Sequence, residues 1–217
     1  SAALRLNIND LEAREWPMRL IKIGLQVTVL SLSCLATGCM MVRGDQLQPP
    51  TQWPPDKPLQ MKSIALAVKS QFESSGQSKQ NEAAMHLIEG QAQKAYADSA
   101  LFSHVSVAKE RADLFAEIQI TEDGNKGLAG ISGFISGFTM GIIPGYAHAT
   151  LTSQTVFRNN AGEEIGTIKK SESISFWIQI FLVAAMPFRD EPKVVARDVY
   201  YDLNRATLAE ARSKGYF

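Results

Sequence analysis

Few residues in this chain stand in a pattern that could do chemistry. Ser132, in the run Gly-Ile-Ser-Gly at 130–133, and Ser136, before Gly137, lack the Gly-x-Ser-x-Gly spacing that exposes a nucleophilic hydroxyl on a strand-to-helix turn. His86, His104 and His148 fall in separate segments, without the i, i+3 or i, i+4 spacing that lets two imidazoles share a metal. The acidic pairs Glu163-Glu164 and Asp190-Glu191 stand at a turn and at a helix start, where solvation and capping account for them. The glycines of residues 127–145 lack the lysine that would make them a phosphate loop. These absences predict a protein that is not an enzyme, with no metal and no diffusible cofactor. What remains is sulfur, in Cys34 and Cys39. Of the two, Cys39 has the more patterned neighbourhood.

That neighbourhood begins at Met18. Arg19 and Lys22 form a short basic region, residues 23–35 an apolar one, and Leu35-Ala36-Thr37-Gly38-Cys39 sets small residues ahead of the cysteine. The arrangement resembles a bacterial lipoprotein signal with its lipobox. The sixteen uncharged residues 23–38 are fewer than the ~20 a spanning helix needs, so cleavage is expected rather than a transmembrane anchor. The resemblance implies that Cys39 becomes the mature N-terminus and carries a diacylglycerol and an N-acyl chain. It also implies an outer-membrane location with the domain facing the periplasm, because Met40 stands where an aspartate would direct retention in the inner membrane. Residues 1–17 carry Asp10, Glu12 and Glu15, foreign to a signal n-region, and are read as a mis-assigned start or an upstream extension.

From residue 39 onward the chain has eighteen basic and nineteen acidic side chains. Such balance gives no electrostatic case for nucleic acid as a partner. With Cys34 removed and Cys39 acylated, no disulfide is available. Residues 39–61 hold five of the nine prolines, at 49, 50, 54, 55 and 58. Proline lacks a donor and fixes φ, so the segment is expected to be a polyproline-like tether with a reach of up to ~60 Å, on which Trp53 could dock against the domain or a partner.

The folded domain is expected over residues 62–217. Residues 62–68 form an apolar run fitting a buried strand, and Ser78 is placed to cap a helix over 79–102 with Ala84, Ile88, Ala92, Ala95, Ser99 and Phe102 on one face. Strands follow at 104–108 and 112–121, the second with Leu114, Ala116, Ile118 and Ile120 alternating toward one side. Residues 146–158 and 163–171 read as a largely exposed β-hairpin about Asn159-Asn160-Ala161-Gly162. Residues 190–215 form a helix capped by Asp190, with Val195, Val199, Leu203 and Ala206 as its stripe. The order predicts an α+β fold, a mostly antiparallel sheet with helices packed on one face.

Two charge-free runs flank the hairpin. In residues 127–145, Gly133, Gly137, Gly141 and Gly145 stand four apart, which in a helix lines a groove beside Phe134, Ile135, Phe138 and Ile142. The spacing resembles that of glycine-zipper outer-membrane lipoproteins. It suits a buried excursion, a membrane-inserted element or an oligomerisation surface. Residues 173–188, with Phe176, Trp177 and Phe181, suit an interfacial segment or a core element. If the hairpin is regular, both runs leave its same end and can form one apolar tip. The element order is similar to that of small periplasmic domains of curli-secretion, Pel-export and penicillin-binding-protein-activating lipoproteins. That likeness implies an accessory lipoprotein forming a homo-oligomer or an envelope complex against outer-membrane lipid. The alternative from the same residues is a binding module for a lipid or apolar ligand.

Overall fold

The computed structural model describes residues 38–74, 77–78, 82–107, 111–124, 143, 145–179 and 190–217. Its elements are β1 (Gly38–Arg43), β2 (Lys62–Ser74), β3 (Gln77–Ser78), α1 (Glu82–Asp98), β4 (Phe102–Ser106), β5 (Leu114–Gly124), β6 (Gly145–Asn159), β7 (Glu164–Gln179) and α2 (Pro192–Ser213). Along the sheet the order is β1-β7-β6-β5-β2, and the far edge of β2 takes β4 along its first residues and β3 at its last two.

The fold is α+β, but the sheet is mixed. β2 runs parallel to both β4 and β5, while β5, β6, β7 and β1 alternate in direction. Period-two alternation looks the same in either direction, so the sequence carries no direct sign of it. The cause is α1, which returns the chain to the starting end of β2 so that β4 must pair in parallel. Phe102 therefore opens a strand instead of closing the helical stripe. The helix stops at Asp98, Ala100 takes a φ of 53°, and the Ser99 hydroxyl donates to the Tyr96 carbonyl at 2.6 Å.

The core forms between one sheet face and the two helices. Ile64 and Leu66 of β2, Leu114, Ala116, Ile118 and Ile120 of β5, and Leu151 and Phe157 of β6 meet Ile88, Ala92 and Tyr96 of α1 and Val199, Leu203 and Leu208 of α2. The hairpin is central rather than exposed, because β6 lies between β5 and β7. Its serines and threonines are partly interior, with Ser153 and Thr155 fully buried. Helix α2 starts at Pro192 with Glu191 as N-cap and no side-chain cap, so Asp190 does not cap it; proline at the first position needs no N–H partner.

The proline-rich stretch does not stand off as a spacer. Its head, up to Arg43, is the edge strand β1, and the rest folds back over α2. Trp53 meets Tyr201 edge-on at 6.5 Å between ring centroids, and the Arg212 guanidinium donates to the carbonyls of Asp56 at 2.9 Å and Lys57 at 3.2 Å. The prolines of this stretch stay out of strands and helices, as their missing donor requires, and the Asp56 and Lys57 carbonyls between Pro55 and Pro58 are left to accept from an arginine.

Candidate functional site

The final residue pairs of β7, β6 and β1 bring together most of the described residues singled out by sequence. Ile178 faces Gly145 on one side and Cys39 on the other, and the next level pairs Trp177 with Tyr146 and Met40. Above that, Phe176 lies between Ala147 and Met41. Cys39 is half-buried with a free thiol, and Gly145 is buried as the first residue of β6. Gly145 is thus a strand residue, which removes it from any helical row with the other glycines. Phe176 packs against the core, whereas Trp177 is exposed. Gly133, Gly137, Gly141, Phe134, Phe138 and Phe181 lie outside the described residues.

The run 173–188 is likewise a strand through Gln179, since β7 continues the hairpin ladder without a break at Ile174. Strand alternation sorts its side chains. Ile174 and Phe176 go to the helix side, and Ser175 and Trp177 to the opposite side. On that opposite side Tyr146 and Trp177 lie with centroids 4.7 Å apart, and the His148 Nδ1 and the Tyr146 hydroxyl approach the Ser175 hydroxyl at 3.1 and 3.4 Å.

An ionic clasp that the sequence did not single out holds β1 in place. Glu172, fully buried on the helix side of β7, accepts from the Arg43 guanidinium at 3.2 Å. It also accepts from the backbone N–H groups of Gln46 at 3.1 Å, Leu47 at 3.4 Å and Ser173 at 2.8 Å. Arg43 in turn donates to Asp202 of α2 at 2.7 Å. Partial burial alone would lower the Arg43 pKa, but hydrogen bonds and charge from Asp202 and Glu172 outweigh it and hold the guanidinium above its ordinary value. One clue existed in the sequence: Glu172 keeps the spacing of Ile168 and Ile174, so it had to share their face.

Farther along, a groove of about 670 Å³ runs between the proline-rich segment and α2, with Gln48, Thr51, Asp56, Lys170, Glu210 and Arg212 in its walls. Lys170 and Lys214 both reach Glu210 at 2.7 Å and hold its carboxyl below the usual range. Pro50, Pro55, Ala206 and Ala209 also line it, so its walls are mixed, with the charges balanced in sign. Among the described residues no group of three or more His, Cys, Asp or Glu could hold a metal ion, and no helix is long and apolar enough to cross a membrane.

No protein family matches the sequence, and no curated protein does so. Among solved structures, the chain is similar to a minor lipoprotein from Acinetobacter baumannii, with 13% identity and a TM-score of 0.40 over 71% of this chain and 96% of that one. Two structures of the PelC dodecamer from Paraburkholderia phytofirmans are also similar, at 11% and 10% identity and TM-scores of 0.32 and 0.33. Each covers 78% of this chain, and 95% and 96% of the PelC chains. These likenesses are too distant to transfer a property to this chain.

Proposed function

We propose that the protein is a non-enzymatic, lipid-anchored module of the outer membrane, facing the periplasm and serving a structural or assembly role. The observation that carries this reading is the place of Cys39. Cys39 is built into the folded sheet, on the last rung that spans β1, β7 and β6, beside exposed apolar side chains. An acylated Cys39 would attach the domain, and residues 127–145 and 174–188 would supply contacts to lipid or to further copies of the chain.

The decisive experiment is mass spectrometry of the mature N-terminus recovered from envelope fractions. A chain beginning at a Cys39 bearing diacylglycerol and an N-acyl chain is expected, with Cys39→Ser leaving an unacylated precursor. An unmodified Cys39 in wild-type protein would end the reading. Native mass in mild detergent then tests self-association, for which several copies per particle are expected.

A further inference from the structure

We infer that the end of β1, β6 and β7 at Cys39, Gly145 and Ile178 rests in the bilayer interface, with the Tyr146–Trp177 pair at headgroup level. The inference rests on the anchored reading above and names the surface that meets lipid.

Three observations carry it. The first is register. Among the described residues β5 pairs with β6 as far as Gly124 opposite Ala149, whereas the ladders of β6 with β7 and of β7 with β1 continue through four further levels. Those levels span roughly 13 Å. The second is composition. Residues 39–42, 145–148 and 175–178, which form these levels, include no Asp, Glu, Lys or Arg. Val42, Tyr146, Trp177 and Ile178 in them are 36%, 42%, 39% and 37% exposed. The sequence stretches joined to them, 127–145 and 173–188, are uncharged as well. The polarity is graded along the strands, because the Tyr146 hydroxyl and His148 both turn to Ser175, two levels in from the Tyr146–Trp177 pair. An amphipathic aromatic with its polar atom toward the domain and its ring toward the tip is what an interface favours.

The third observation selects lipid as the occupant. Cys39 pairs with Ile178, the residue next to Trp177, so acyl chains on it would leave the sheet within one residue level of the exposed ring, from the opposite face. No slack separates them. Arg43 is clasped by Glu172 and Asp202, and the prolines that could have spaced the domain come after the clasp and return to α2. A bilayer holding the anchor therefore has to lie against this end of the sheet.

Tryptophan emission tests this directly. From residue 39 onward the only tryptophans are Trp53 and Trp177. Acylated mature protein carrying Trp53→Phe is reconstituted in phosphatidylethanolamine–phosphatidylglycerol vesicles with and without brominated acyl chains. Trp177 emission should fall roughly twofold or more with brominated lipid and shift to shorter wavelength. The companion variant Trp177→Phe, reporting from Trp53 on α2, should be unaffected. Trp177 quenched by aqueous iodide and not by bromine would overturn the inference, as would shielding from both, which would mean a protein covers the site. Equal bromine quenching of both tryptophans would overturn it too, since the whole domain would then be sunk in lipid. Because acylation is verified by mass beforehand, any of these results leaves the anchored reading standing, while an unmodified Cys39 removes that reading first.

Discussion

The two ends of the sheet each carry an aromatic cluster, and they are finished in opposite ways. At the hairpin-turn end, Phe157 meets Tyr216 at 5.9 Å and Phe217 at 5.6 Å, and Phe217 meets Phe102 at 5.0 Å, itself stacked on Tyr96 at 5.7 Å. The C-terminus folds over these rings, and Phe157 and Tyr96 are fully buried. At the other end, Tyr146 and Trp177 touch each other with no such cover from the described residues, and both stay exposed. Among the described residues the aromatics are covered at one end and left exposed at the other. The exposed pair beside Cys39 is open to contact, whereas the buried set is a source of stability.

Substitutions should separate the two ends. The largest effect is expected for Phe157→Ala, which empties a filled site and should cost about 3–5 kcal/mol in urea unfolding. Next is Arg43→Met, which leaves the buried Glu172 carboxylate without its cation. Breaking a buried pair costs ~3–5 kcal/mol, and because the Arg43 side chain is 25% exposed about 2–3 kcal/mol is expected, with earlier proteolysis of β1 as a second readout. Gly166→Ala sharpens the comparison within the closed end. A Cβ there would overlap the Tyr216 ring, so the ring must shift, at a cost of about 1 kcal/mol.

A pH series gives a smaller signal. Hydrogen bonds from Lys170 and Lys214 depress the Glu210 carboxyl in the folded state. Its contribution is thus fully present above the ordinary value of 4.5 and is lost as the pH falls through the lowered folded value. Glu210→Gln should flatten the acid side of a plot of urea midpoint against pH. The smallest stability effect is expected at the open end, where Trp177→Ser should change unfolding by less than about 0.5 kcal/mol in lipid-free protein. A cost near that of Phe157→Ala would erase the distinction between the ends.

What could be read from sequence follows from how local each cause is. The alternation of Leu114, Ala116, Ile118 and Ile120 is a near-neighbour pattern, and those residues are buried. The turn at Asn159 is also local: its side-chain carbonyl accepts from the N–H groups of Ala161 and Glu163. The place of β1 was not legible, because six residues with one charge carry no strand signature, and the clasp that holds them joins Arg43 to residues 129 and 159 positions away. Likewise, the prolines indicate where strands cannot form but not that Trp53 finds Tyr201. Residues 173–179 were uniformly uncharged, and only their pairing with β6 distinguishes strand from helix.

The pairing of β1 with β7 also has a mechanical meaning. With Cys39 acylated as proposed, force transmitted from a membrane would act along the axis of β1, so the five residue pairs from Cys39 to Arg43 would share the load in shear instead of opening one after another. The anchor would then resist tugging as a single ladder, with the Arg43 clasp as its stop.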